Sequence, residues 1–97
     1  MSLDASHSLA LSKHADLKKR AEGDILVLPE RAIRIRGSGG EILRLVIEGG
    51  SAHSIGAAMR ERYPESLEIE SDVLEFLQKM LEVGGIRTQG ANRRDPT

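Results

Sequence analysis

The stretch ILVLPERAIRIR, residues 25–36, decides the fold of this chain. It opens with four apolar residues that stop at Pro29, a compact run typical of a β-strand. From Arg31 to Arg36 polar and apolar residues alternate, as they do in a strand that is buried on one face. Because Pro29 and Glu30 separate the two runs, the stretch predicts two neighbouring strands.

A third strand is predicted immediately upstream of this pair. Ala15–Arg20 is a weaker strand candidate, and the turn at residues 22–24 would fold it back on residues 25–28 as a hairpin. The first half of the chain therefore predicts a three-stranded antiparallel meander. Residues 31–36 form an edge of this meander, and their unpaired N–H and C=O groups are open to strand addition by a partner peptide.

The second half of the chain predicts three helices. Ser38 followed by Glu41 is a capping-box pattern in front of an apolar segment, and Gly49 stands where a C-terminal cap would end the first helix. Ser51 is predicted to cap a second helix, which stops before Pro64.

The third helix has the clearest periodicity, and Gly84 supplies its C-terminal cap. Its apolar residues follow the i, i+4, i+7, i+8 pattern and are Ile69, Val73, Phe76, Leu77, Met80 and Leu81. The predicted fold class is therefore α+β, with a three-stranded antiparallel meander followed by three helices. This is the order of a winged helix-turn-helix domain.

The length of 97 residues, with 39% hydrophobic and 30% charged residues, fits one folded domain. We expect the domain to span residues 11–87, with flexible tails at 1–10 and 88–97 because these ends lack sustained periodicity. The sequence contains no Cys and no apolar run long enough for a membrane span. A cytoplasmic protein without a membrane partner is therefore expected.

No pattern in the sequence predicts catalysis, a cofactor or a metal site. His7, His14 and His53 lie in three different segments, without the spacing of metal ligands. The glycine-rich turn at residues 37–40 precedes a helix but lacks the Lys of a phosphate-binding loop. A net charge of -1, together with five carboxylates in residues 65–75, argues against nucleic acid as a partner.

Short motifs in these elements resemble the PqqD family. The resemblance covers residues 25–87. Members of the family have a strand that ends in Pro-Glu, then an alternating strand, and then a small-residue turn into a helix that begins Glu-Ile-Leu. A Gly follows this helix. A second helix then ends in Arg-Tyr, and a third helix contains Asp-Val. In this sequence the pieces stand in that order as Leu28-Pro29-Glu30, Ala32-Ile33-Arg34-Ile35, Ser38-Gly39-Gly40-Glu41-Ile42-Leu43, Gly49, Arg62-Tyr63-Pro64 and Asp72-Val73-Leu74.

The resemblance implies a non-catalytic, peptide-binding chaperone without a cofactor. In pyrroloquinoline quinone (PQQ) biosynthesis such a protein is the recognition element that binds a ribosomally made precursor peptide and delivers it to a radical SAM enzyme. In the family the peptide lies between the edge strand and the third helix. The peptide-binding residues that this implies here are Ala32, Ile33, Arg34, Ile35, Asp72, Glu75, Phe76 and Lys79.

Other interpretations of the same residues stay open. The predicted order of elements also occurs in winged-helix DNA-binding regulators, although an acidic third helix would repel phosphate. The apolar members of the implied site could equally be core residues, and its charged helix members could form a solvated face. The thin aliphatic core and the open edge strand also favour a homodimer, and a bare dimerisation module is a third possibility.

Overall fold

The computed structural model describes residues 6–89 of the chain. Within this range five strands and three helices form one core. In chain order they are β1 (Leu9–Leu11), β2 (Asp16–Arg20), β3 (Gly23–Val27), β4 (Ala32–Ile35), α1 (Gly39–Ile47), α2 (Ala52–Arg62), α3 (Ile69–Glu82) and β5 (Ile86–Thr88).

Strands β2, β3 and β4 form an antiparallel sheet in that order, with β4 at one edge. Leu17, Leu26 and Ile33 lie opposite one another across it, and Leu26 is fully buried, so this row faces the helices. Successive side chains of a strand point to opposite faces. The neighbouring row therefore faces away from the helices; it consists of Lys18, Ile25 and Arg34. The predicted α+β fold, a three-stranded antiparallel meander followed by three helices, is confirmed.

A second, two-stranded sheet includes Leu9, Ala10 and Thr88, which the sequence assigned to the predicted tails at 1–10 and 88–97. Strands β1 and β5 pair antiparallel, with Leu9 opposite Thr88, and Leu9 is fully buried. Each strand has only three residues, too few for a period-two pattern, and the partners lie far apart in sequence. Sequence periodicity therefore misses this sheet. The other predicted tail residues at 1–5 and 90–97 lie outside the described part of the chain.

The starts of α1 and α2 are held differently. The Ser38 side chain makes no capping hydrogen bond to the described residues, so the predicted capping box is wrong. Its expected partner, Glu41, accepts a hydrogen bond from the Tyr63 hydroxyl instead. The predicted cap at Ser51 is confirmed, since Ser51 Oγ accepts from the Ser54 N–H at 3.1 Å and Ser54 Oγ accepts from the Ser51 N–H at 2.9 Å.

Glycines end α1 and α3, as the sequence predicts. Gly49 has a φ of 95° and Gly84 a φ of 81°, a left-handed conformation that residues with a Cβ rarely adopt. After Gly84 the chain passes under the sheet, where a Cβ on Gly85 would lie 2.7 Å from Cδ2 of Leu26. This close approach positions the end of α3 against the inner face of the meander.

The core is aliphatic, and an ion pair adds a link between sheet and helix. The largest fully buried side chains are Leu9, Leu26, Leu43, Val46, Ile55, Met59, Val73 and Leu77. On β3, Asp24 accepts hydrogen bonds from Nη2 of Arg44 on α1 at 3.1 Å and 3.0 Å. Among the described helices, none is both long and apolar enough to cross a membrane.

Candidate functional site

The hydrogen-bonding direction of each β4 residue follows from the turn that precedes it. Leu28 and Arg31 exchange backbone hydrogen bonds, with N–O distances of 2.7 Å and 3.4 Å. Hydrogen-bonded and non-hydrogen-bonded pairs alternate along an antiparallel ladder, and the register from this turn into β3 and β4 is continuous. Ile33 and Ile35 therefore direct their N–H and C=O groups inward, to β3.

Ala32 and Arg34 consequently direct their N–H and C=O groups outward, to the open edge of β4. In the described part of the chain no further strand lies on that side of the sheet. The side chains follow the same alternation, since Ile35 is buried and Ile33 half-buried on the inner face while Ala32 and Arg34 are exposed. An added strand could exchange hydrogen bonds with these two outward residues.

The predicted helix residues lie on one flank of α3, beside its buried stripe. Asp72, Glu75, Phe76 and Lys79 are spaced so that, at about 3.6 residues per turn, they share one side of the helix. Phe76 is half-buried and borders the core, whereas the three charged residues are exposed. The opposite flank, which includes Glu70 and Leu74, faces α2.

Gly39 brings β4 and this flank of α3 together. A Cβ placed on Gly39 would lie 2.7 Å from Cγ2 of Ile35 and 2.8 Å from Cε1 of Phe76, closer than real Cβ contacts. The missing side chain at the first residue of α1 thus lets the end of β4 and Phe76 approach each other. We call Ile35, Gly39 and Phe76 the β4–α3 junction.

The junction unites two of the eight residues that the sequence predicts for the site. Asp72, Glu75 and Lys79 continue the same flank of α3, and none of them bonds to β4 within the described residues. Their role in peptide binding stays a prediction, as does that of the β4 residues. Sequence reasoning missed Gly39 as a contact point, because a glycine-rich turn between strand and helix gives no signal of which side chains it lets approach.

The two sides of the β4 edge carry opposite charge. On the outer face of the meander the alternation places three cations and one anion, namely Lys18, Arg20, Arg34 and Asp16. The helix α3 carries four carboxylates and one ammonium, namely Glu70, Asp72, Glu75, Glu82 and Lys79. A strand added at this edge would therefore have a basic surface on one face and an acidic helix near the other.

A polar cluster that the sequence does not predict joins α1 to the end of α2. Glu41 accepts a hydrogen bond from the Tyr63 hydroxyl, and Nη1 of Arg62 lies 3.0 Å from its other oxygen. The Tyr63 hydrogen bond lowers the pKa of the Glu41 carboxyl and raises the pKa of the Tyr63 hydroxyl. This cluster lies at the far end of α2 and explains why Glu41 does not cap α1.

The three histidines stay apart in the fold. His14 is exposed in the turn before β2, and His53 is exposed on α2, where it lines a shallow depression with Glu70. His7 precedes β1 and is half-buried. Within residues 6–89 no three His, Asp or Glu side chains are close enough together to hold a metal ion.

Comparison with known proteins identifies the family. Residues 23–86 match the family model described as coenzyme PQQ synthesis protein D (PqqD), which covers most of the meander, all three helices and the start of β5. The chain belongs to the PqqD family. Its PqqD region therefore contains all eight residues of the predicted site and Gly39.

Two curated PqqD relatives and one solved structure agree with this assignment. A protein of Pseudomonas aeruginosa called PqqA binding protein is 35% identical over 77 residues, covering 79% of this chain and 84% of the relative. One of the same description from Azotobacter vinelandii is 46% identical over 54 residues, covering 56% of this chain and 59% of that protein. The solution structure of the PqqD truncation of Methylobacterium extorquens PqqCD, described as a stand-alone recognition element for ribosomally synthesised and modified peptides, superposes with a TM-score of 0.73. It is 19% identical, and the match covers 89% of this chain and 95% of that one, so it supports the fold.

Proposed function

We propose that this PqqD protein is a non-catalytic chaperone that binds a ribosomally made precursor peptide as a strand added to β4. The peptide we propose is of the PqqA type, because the curated relatives are called PqqA binding proteins. The eight predicted residues on β4 and α3 would line its binding site. PQQ biosynthesis is the pathway that the family description supports.

One observation carries this proposal: β4 ends the sheet with the backbone groups of Ala32 and Arg34 directed outward. An edge strand of this kind pairs readily with another extended segment. Beside that edge, the half-buried Ile33 and Phe76 provide apolar surface. Backbone pairing would give affinity, and the flank of α3 would contact every second side chain of the peptide.

Proline substitution at successive positions of β4 tests the proposal. Proline removes the N–H donor and is tolerated at edges only where that N–H faces away from the sheet. We expect Ala32→Pro to stay folded and to bind synthetic Pseudomonas aeruginosa PqqA about 2- to 10-fold more weakly, the equivalent of one net hydrogen bond. Ile33→Pro should instead lower the Tm, because it removes a hydrogen bond to β3.

The controls separate backbone from side-chain effects. Ala32→Gly keeps the N–H and should bind PqqA like the parent, and Ile33→Ala measures the loss of burial alone. Affinities would be measured by fluorescence anisotropy and stability by thermal unfolding. A folded Ala32→Pro protein that binds PqqA as tightly as the parent would show that the peptide does not use this edge, and a parent protein that does not bind PqqA would refute the proposed ligand.

Further parts of the proposal rest on family membership and on the open edge. We propose a radical SAM peptide-modifying enzyme as the second partner and the cytoplasm as the location, consistent with a sequence without Cys. A homodimer could form by pairing of two β4 edges, in which case PqqA would dissociate it in sedimentation experiments. We also propose that the meander and the three helices form a winged helix-turn-helix arrangement.

The DNA-binding alternative has little physical support from the third helix. The exposed charges of α3 are mostly carboxylates, which repel the phosphate backbone that a recognition helix must approach. We expect any binding to duplex DNA to be weak and to vanish at physiological ionic strength. Tight, sequence-specific binding at that salt concentration would favour the regulator over the chaperone.

A further inference from the structure

Arg34 is the cation on β4 itself, and no carboxylate among the described residues forms an ion pair with it. Its side chain is exposed on the outer face of the meander. Lys18 in the same row is paired with Asp16 at 3.1 Å, and Arg44 on α1 is paired with Asp24 at 3.0 Å. Arg34 forms no ion pair with any residue from 6 to 89, although Glu22 lines the same shallow depression.

Because Arg34 lies on the edge strand, a strand added to β4 would lie directly beside its charge. Residues directly opposite each other on neighbouring strands have Cβ atoms about 5 Å apart and point to the same face. A peptide residue opposite Arg34 would therefore lie on the outer face beside its guanidinium group. The peptide residues on either side would point to the inner face, where Ile33 and Phe76 are half-buried.

Resting on the proposed strand addition, we infer that the segment captured at β4 alternates acidic with apolar residues. The acidic residues form the row beside Arg34, and the apolar residues form the row against the β4–α3 junction. This pattern does not depend on whether the peptide runs parallel or antiparallel to β4, because the alternation of faces is the same in both directions. The carboxylates of α3 reinforce it by disfavouring acidic residues in the inner row.

Charge reversal at Arg34 gives the first test, with Arg20→Glu as a matched control. Arg20 is an exposed arginine on the same face of the sheet and has no ion pair among residues 6–89. It lies on β2, the opposite edge strand, about 10 Å or more from the β4 edge across two strand spacings. Both substitutions change the net charge equally. An effect of overall charge would therefore appear in both variants, whereas contact with the peptide would appear in Arg34→Glu alone.

The experiment selects binders from a displayed library of random peptides with the parent, Arg34→Glu and Arg20→Glu proteins. We expect the parent and Arg20→Glu to enrich Asp or Glu at alternate positions and Arg34→Glu to enrich Lys or Arg there. A synthetic copy of a peptide selected by the parent should bind Arg34→Glu roughly 2- to 30-fold more weakly, since a cross-strand attraction becomes a repulsion. Replacing its acidic residues by Lys should restore binding to Arg34→Glu.

The Ala32→Pro protein distinguishes failure of this inference from failure of the proposed function. If the selected peptides lose affinity for Ala32→Pro but bind Arg34→Glu and Arg20→Glu equally well, strand addition stands and the acidic row is refuted. If the selected peptides bind Ala32→Pro and Arg34→Glu as tightly as they bind the parent, the peptide does not lie at β4. Strand addition and the acidic row are then both refuted. If the parent protein enriches no peptide, this result also counts against strand addition and against the acidic row.

Discussion

Gly39→Ala should destabilise the protein, because the β4–α3 junction has no room for a methyl group. The new Cβ would lie 2.7 Å from Ile35 and 2.8 Å from Phe76, both anchored against the core. Overpacking of this kind costs roughly 1–3 kcal/mol, offset in part by up to about 1 kcal/mol from the better helix propensity of Ala. The net loss is about 1–2 kcal/mol, or roughly 4–16 °C in Tm for a domain of this size.

Gly56→Ala is the matched control, since it makes the same chemical change in the interior of α2. A Cβ there would meet its nearest neighbour, Cγ of Glu70, at an ordinary 3.9 Å. Gly56→Ala should therefore stabilise the protein by about 0.5–1 kcal/mol. Thermal and denaturant unfolding of both variants would measure the difference. A Gly39→Ala protein as stable as Gly56→Ala would refute the close junction, and with it the argument that β4 and α3 line one site.

Two further predictions concern the polar links of α1. Arg44→Ala should lower the free energy of unfolding by about 1–3 kcal/mol, and by more than Asp24→Ala does. The reason is that Arg44→Ala leaves Asp24, only 13% exposed, without its partner, whereas in Asp24→Ala the 43% exposed Arg44 is hydrated. Equal losses of stability in denaturant unfolding would contradict this asymmetry. The pKa of Glu41 is lowered in the folded state, so its contribution to stability is present above its ordinary pKa of 4.5 and is lost as the pH falls through the lowered value. Tyr63→Phe should therefore reduce the Tm more at neutral pH than at about pH 3, and a difference independent of pH would rule out this linkage.

The elements that the sequence predicts correctly are those whose signals are local. The alternation in residues 31–36 identifies β4, and the periodicity around Leu77 identifies α3 with its cap at Gly84. Ser51 is equally predictable, because its capping partner lies three residues away. Local pattern and family motifs thus suffice for the meander and the helices.

The features that sequence reasoning misses depend on contacts between distant residues. Strands β1 and β5 are three residues long and are stabilised by each other, so neither carries a signal of its own. Ser38 and Glu41 have the spacing of a capping box. The Glu41 carboxylate instead accepts a hydrogen bond from the hydroxyl of Tyr63, 22 residues further on. The outward direction of Ala32 and Arg34 also needs the structure, since it is set by the hydrogen-bonded pair at the preceding turn.

Hydrogen exchange of the β4 amides tests strand addition most directly. In the free protein the N–H groups of Ala32 and Arg34 face the open edge, whereas those of Ile33 and Ile35 are bonded to β3. With saturating PqqA we predict that exchange at Ala32 and Arg34 slows at least about tenfold, and that any slowing at Ile33 and Ile35 is smaller. Unchanged exchange at Ala32 and Arg34 in a saturated complex would contradict the account, because the peptide would then not pair with this strand.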